Sequence, residues 1–200
     1  MSADPGCVVL GAGGHAKVVI ELLQTSGRSV AYCVGGADGP RECLGIEVLC
    51  GYDELGRLRA AGHRHAFPAV GDNALRRRLA AEAIDAGFEL VNAISPSAVV
   101  SPSARLGVGV AVMAGVVINA ATTIGDLAII NTGATVDHDG SIGTAAFVGP
   151  QCALAGTVTV GDDAFIGTGT AVIPTITIGA GATVGAGSLV IRNIPPGAMA

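Results

Sequence analysis

From Ile94 to Val190 the chain places an aliphatic residue at every sixth position without a break. The series runs Ile94, Val100, Leu106, Val112, Ile118, Ile124, Ile130, Val136, Ile142, Val148, Leu154, Val160, Ile166, Val172, Ile178, Val184 and Val190. Neither the 3.6-residue period of an amphipathic helix nor the two-residue alternation of a half-buried strand keeps that phase. A fixed six-residue period is the mark of a parallel β-helix. The predicted architecture is a prism of short strands, three faces per coil, with the aliphatic side chains stacked inside. Each coil buries its core only against its neighbours, so stability is nearly one-dimensional.

The intervening residues fit the same prism. Gly follows the aliphatic at Gly107, Gly125, Gly143, Gly149, Gly161, Gly167, Gly179 and Gly185. Tight corners of this kind need positive φ or close backbone approach, and Gly supplies both. Two places before the aliphatic the residue is often small, as at Ala104, Ala128, Ala134, Gly140, Ala146, Ala164, Ala182 and Ser188. The expected interior therefore holds one branched side chain per face with little beside it.

Composition narrows the class. Half of the residues are apolar, yet aromatics make up only 3% and there is no Trp. A stacked Val and Ile core needs no aromatics, whereas a conventional core of this size uses more of them. No segment of about twenty residues is uniformly apolar, which excludes a membrane span. The net charge of −5 argues against nucleic acid as a partner. Met1 to Gly6 lacks the basic start and apolar run of a secretory leader. Five cysteines without CxxC spacing read as reduced, mostly buried thiols of a cytoplasmic protein.

The first 93 residues have another character. Cys7 to Leu10, Ser29 to Val34, Ala66 to Val70 and Phe88 to Val91 read as strands. Ala16 to Leu23, Asp53 to Ala61 and Asn73 to Ala86 read as helices. Strands alternating with helices predict a small parallel α/β sheet of doubly wound type. Ser95-Pro96-Ser97 and Ser101-Pro102-Ser103 mark the junction, where Pro disfavours helix, and make the first coil a cap. The expected organisation is a Rossmann-like domain over residues 1–93 and a β-helix over residues 94–200.

Two places carry chemistry. The turn Gly11-Ala12-Gly13-Gly14-His15-Ala16 lies between the first strand and the first helix. Backbone N–H groups of such a turn, at a helix N-terminus, suit a phosphate. A redox dinucleotide site also wants an acid at the end of the second strand. Gly35 and Gly36 stand there, with Asp38 the nearest acid, so the turn reads as a nucleotide-phosphate site, with a mere tight turn as the alternative. The second place is Asp137-His138-Asp139, which holds the only histidine of the repeats. His138 follows Val136 by two places and so points outward near a corner. An adjacent carboxylate raises imidazole basicity and fixes its tautomer, which suits a general base. One histidine cannot supply the three zinc ligands of a β-helix carbonic anhydrase, and no nucleophile-elbow motif is present.

Four segments carry a family resemblance: Gly11 to Lys17 (GAGGHAK), Ala69 to Asn73 (AVGDN), Asn131 to Asp139 (NTGATVDHD) and Leu154 to Gly156 (LAG). On these the chain resembles the hexapeptide-repeat acetyltransferases that acetylate amino groups on nucleotide-linked sugars, among them the bacillosamine-pathway and perosamine N-acetyltransferases. Sialic acid O-acetyltransferases share the two-part layout. The resemblance implies a left-handed β-helix, a homotrimer with active sites between subunits, acetyl-CoA as co-substrate and no metal. It implies His138 as general base and Asp139 as the carboxylate that tunes it. It also implies Asn131 near the sugar, and Gly13, Gly14, His15 and Gly71 around a nucleotide-linked amino sugar of the 4-amino-4,6-dideoxy type. The Gly156 amide is expected to face the thioester, and Thr168 and Ala186 to contact the CoA arm. Three positions depart from the family pattern: Gly35 and Gly36 replace an acidic pair, and Phe147 replaces a frequent His. O-acetylation of a sialic acid and a non-catalytic β-helix binding module are the alternative readings.

Overall fold

The computed structural model describes residues 5–200, and the chain divides into two compact units, Met1–Ala93 and Ile94–Ala200. The first four residues of the segment read for a leader lie outside the described residues.

The N-terminal unit runs β1 (Cys7–Leu10), α1 (Gly14–Thr25), β2 (Val30–Gly35), β3 (Glu42–Cys43), β4 (Ile46–Cys50), α2 (Glu54–Ala60), β5 (His65–Pro68), α3 (Asn73–Asp85) and β6 (Glu89–Leu90). The sheet order is β3-β4-β2-β1-β5-β6. Strand β1 is buried throughout and pairs in parallel with β2 on one side and β5 on the other. A strand covered on both faces reads as a continuous apolar run, which is why Cys7 to Leu10 is so apolar. The core gathers Val8, Leu10, Val34, Leu55, Leu58, Leu79 and Phe88. Helix α3 begins on Asp72, whose Oδ1 accepts the Leu75 N–H at 2.7 Å. That bond satisfies one of the free donors at the helix start.

The sheet departs from the all-parallel expectation at one edge. Strands β3 and β4 form an antiparallel hairpin, with β4 parallel to β2. The two turn residues, Leu44 and Gly45, have φ of 51° and 75°. Positive φ at both places is the type I′ turn that matches strand twist. Leu is uncommon there, so the sequence gives only half of the usual hairpin signal.

The C-terminal unit is a left-handed parallel β-helix. Two-residue strands form sheets of six, six and five strands, one per face of the prism. We call them the first, second and third faces, after the order in which the chain visits them. Each strand pairs with the strand 18 residues on. The first face stacks Val112 on Ile130, Val148, Ile166 and Val184 in turn. The second face stacks Ile118, Val136, Leu154, Val172 and Val190. The sixth-position aliphatics from Val112 to Val184 are at most 3% exposed. Each fully buried aliphatic side chain contributes about 1.5–3 kcal/mol. Ile94, Val100 and Leu106 are only half-buried, as the end coil of a stack must be.

Two interior expectations change. The place two residues before each aliphatic also faces inward, and it takes branched side chains at Val110, Val116, Val158 and Ile176, all buried. The glycines that follow the aliphatics serve close approach, not positive φ. A Cβ on Gly143 would lie 2.5 Å from the Asp162 nitrogen of the next coil. The left-handed residue of each corner sits two places further on, at Gly115, Ala121, Asp139, Ala145 and their counterparts.

Candidate active site

His138 sits on the corner between the second and third faces. The corner is stacked at 18-residue steps, so Ala120 lies below His138 and Gly156 above it. The His138 side chain is 58% exposed, and its Nδ1 is 2.8 Å from Asp139 Oδ2. Asp139 has φ 57°, in the left-handed region, and its N–H donates to the Ala120 carbonyl at 3.0 Å. Backbone in this region costs free energy for a residue with a side chain, and Asp is among those that tolerate it best. The turn thereby brings a carboxylate back onto the imidazole beside it. That hydrogen bond is the main cause raising the His138 pKa above 6.5, with the Asp137 charge adding to it. With Nδ1 held by the carboxylate, Nε2 is the free base. A Cβ on Gly156 would lie 2.7 Å from Nε2 and Cε1, so Gly at 156 is what lets the ring occupy this place.

Asn119 and Thr122, not singled out in the sequence, complete the turn through Asp137. Asp137 Oδ1 accepts the His138 N–H at 2.8 Å and the Asn119 Nδ2–H at 2.8 Å. The Asn119 bond is the leading cause that keeps the Asp137 pKa below its usual value. Thr122 Oγ1 donates to the Asp137 carbonyl at 2.9 Å. The available signal was the 18-residue offset, which places Asn119 directly below Asp137. Beside them runs an open groove of about 470 Å³, lined by Asn119, Thr135, Asp137, Ala155, Ile173 and Pro174 among others.

His138, Asp139 and Gly156 are thus brought together within one chain. Asn131, Thr168 and Ala186 are not. They lie on the corner between the first and second faces, where Asn131 Oδ1 accepts the Thr132 N–H at 2.8 Å. Phe147, on the first face, stacks on Phe165 with centroids 4.8 Å apart and planes 8° from parallel. No group of His, Cys, Asp and Glu that could hold a metal occurs among the described residues.

In the N-terminal unit, β1 and β5 are neighbours whose chain connections leave to opposite sides, the switch point at which open α/β sheets bind ligands. Gly11 follows β1 with φ 124°, and a Cβ there would lie 2.8 Å from the Ala69 carbonyl oxygen, so this glycine is required by the fold. Gly13, Gly14 and Gly71 face open space, with nothing within 4 Å of a built Cβ. Helix α1 starts there with no side-chain cap and no acid in its first turn, which leaves N–H groups suited to an anion. Arg76, fully buried, donates to the Val70 and Gly71 carbonyls at 3.1 and 3.0 Å and to Asn73 Oδ1 at 2.8 Å. It fixes the loop that carries Gly71. Burial, and then the Arg76 charge, lower the His15 pKa to about 4, so His15 is neutral at ordinary pH. Its Nε2 is buried without a hydrogen-bond partner. Arg76 was masked in the sequence by its place in a run of three arginines, although its spacing from Asp72, Leu79 and Ala83 puts it on the buried face of α3.

The chain is similar to known proteins over nearly its whole length. The family model described as the PglD N-terminal domain matches residues 7–83. A structure of a histidine-to-asparagine variant of perosamine N-acetyltransferase from Caulobacter crescentus, in complex with CoA and GDP-perosamine, is 56% identical. It superposes with a TM-score of 0.95 over 98% of this chain and 92% of that one. The acetyltransferase domain of PglB from Neisseria gonorrhoeae, in complex with acetyl coenzyme A, is 36% identical with a TM-score of 0.91, over 98% of this chain and 96% of that one. WeeI from Acinetobacter baumannii, 23% identical, shares the fold with a TM-score of 0.89 over 96% of this chain and 94% of that one. With the Gly turn, the hexapeptide coils and the His138–Asp139 pair in place, the chain belongs to the hexapeptide-repeat sugar acetyltransferase family of perosamine N-acetyltransferase.

Proposed function

We propose that the protein transfers an acetyl group from acetyl-CoA to the amine of a nucleotide-linked amino sugar of the 4-amino-4,6-dideoxy type, with GDP as the favoured nucleotide. The observation that carries this reading is the His138–Asp139 pair, an exposed imidazole whose Nδ1 is tied to a carboxylate at 2.8 Å. The 56% identity to an enzyme solved with CoA and GDP-perosamine supports the choice of substrates. The amine nitrogen attacks the thioester carbon, a C–N bond forms and the C–S bond breaks. His138 Nε2 takes the proton that the amine loses and returns it to the departing sulfur. Asp139 stabilises the imidazolium formed between these steps. A backbone N–H at Gly156, beside the ring, stabilises the developing oxyanion.

The N-terminal unit binds the acceptor. Gly13, Gly14 and Gly71 leave room for the nucleotide, α1 offers its N-terminus to the phosphates, and neutral His15 belongs to the same turn. Gly35 and Gly36 leave the nucleotide without the acidic contact that the family often makes.

The working unit is a homotrimer with sites between subunits. Two faces of the prism carry apolar groups outward, Phe147 and Phe165 on the first and Val99, Ala153, Ala171 and Leu189 on the second. The third carries Arg105, Thr123, Ser141, Thr159 and Thr177. Packing two faces and leaving the third to water suits three copies around one axis. It also brings Asn131, Thr168 and Ala186 of one copy toward His138 of the next, completing the CoA groove. The cytoplasm, where acetyl-CoA and nucleotide sugars occur, fits the five free thiols. Among the described residues no helix is long and apolar enough to cross a membrane.

Replacing His138 tests the mechanism. His138→Ala should lower kcat by at least about 10²-fold, the usual contribution of a general base, with the fold intact by circular dichroism. Turnover near the wild-type rate in that variant removes His138 from the reaction.

A further inference from the structure

The polar groups beneath His138 interrupt the apolar inward row of the third face. At the inward place two residues before each third-face aliphatic, the chain has Ala104, Thr122, Gly140, Val158 and Ile176. Only the residue one coil below His138 carries a hydroxyl, and it is fully buried. A buried hydroxyl costs stability unless bonded, and Val fills the same inward place at Val158 without one. On the outer side of the same corner, Ala155 and Ile173 stand above Asp137, and the coils there hold their ladder with no polar side chain. The Thr122 bond has counterparts elsewhere in the helix, where Thr170 Oγ1 donates to the Gly185 carbonyl and Cys152 Sγ to the Gly167 carbonyl, each 15 residues on and at 3.1 Å. What sets this corner apart is that the hydroxyl and the Asn119 amide meet at the residue before His138.

Both act on one residue. Asn119 holds the Asp137 carboxylate and Thr122 holds the Asp137 carbonyl, at 2.8 and 2.9 Å. That carboxylate in turn accepts the His138 N–H at 2.8 Å. On the far side Gly140 closes the turn, where a Cβ would lie 3.0 Å from Val136 Cγ1 and 3.1 Å from the Asp137 carbonyl oxygen. The imidazole itself is exposed, so its placement rests on its backbone and on Asp139. We propose that Asn119 and Thr122 are positioning residues for His138, fixing its turn from the coil below through Asp137. The inference rests on His138 being the general base.

The test compares Thr122→Val, which keeps shape and loses the hydroxyl, Thr122→Ser, which keeps the hydroxyl, and the exposed Asn119→Ala. Misplacement of a catalytic group by about 1 Å costs up to about 10²-fold, so a partial loosening predicts a kcat loss of about 10-fold in Thr122→Val and Asn119→Ala. KM for both substrates should stay within about twofold, since the turn is held rather than the substrates bound, and Thr122→Ser should stay near wild type. The second readout needs no activity. The NMR titration of the His138 Cε1 proton in the full-length protein should move toward the ordinary histidine range in the two loss variants, as the carboxylate contacts loosen. Wild-type kcat with an unmoved titration overturns the proposal, and so does a loss in Thr122→Ser as large as in Thr122→Val. An inactive wild-type protein sinks the acetyl-transfer reading instead, and the titration alone then decides the positioning role.

Discussion

Asp139 does two things that pull against each other. It occupies a left-handed backbone place that side chains disfavour, and it supplies the carboxylate that makes His138 a stronger base. Asn tolerates the same backbone and lacks the charge, so Asp139→Asn separates the two. A base must be unprotonated to work, and Asp139 raises the pH at which His138 gives up its proton. Activity therefore falls as pH drops through that raised value. In Asp139→Asn the acid limb of kcat/KM against pH should move to lower pH, while the smaller base strength lowers the plateau. An acid limb that stays in place assigns it to another group. The sequence pointed to this pair because His138 follows an inward aliphatic by two places and has carboxylates on both sides. Thr122, Asn119 and Arg76 were not legible in the same way. Their roles depend on which atom of a neighbouring coil or loop they reach, and periodicity fixes the neighbour but not the atom.

At the scale of elements, the hexapeptide period carried the whole β-helix, from strand positions to the 18-residue stacking. It carried the corner chemistry only in part. Glycine after the aliphatic pointed to a corner constraint, and the constraint is proximity of the next coil. Gly143→Ala should accordingly destabilise by about 1–3 kcal/mol, as forced overpacking does, because the Cβ meets backbone that cannot swing away. Urea unfolding measures it, and a variant as stable as the wild type would show that neighbouring coils separate more easily than the stacking implies. The hairpin of β3 and β4 went unread for a local reason. Its turn places Leu44 at positive φ, and its first strand, Glu42–Cys43, is too short to show alternation. The N-terminal strands and helices that packing sets, such as β1 and α3, fell within a few residues of where their apolar spacing put them.

Over the whole molecule, the sequence marks a change of architecture near Ile94, and the contacts divide the chain there, with Met1–Ala93 on one side and Ile94–Ala200 on the other. One unit presents a glycine turn at a sheet switch point. The other presents a base on a rigid corner. Within one chain Thr168, Ala186 and Asn131 sit on another corner than His138. The sequence named those residues through family resemblance, and only the proposed assembly of three chains brings them toward His138. Together these parts perform acetyl transfer to an amine on a nucleotide-linked sugar. Free thiol release from acetyl-CoA measures it most directly, with GDP-, UDP- and dTDP-linked 4-amino-4,6-dideoxy sugars and a sialic acid as acceptors. Thiol release should require the amino sugar, be fastest with the GDP-linked one, and stand in one-to-one ratio with N-acetylated product. Release with the sialic acid alone, or none with any of the amino sugars, would contradict it.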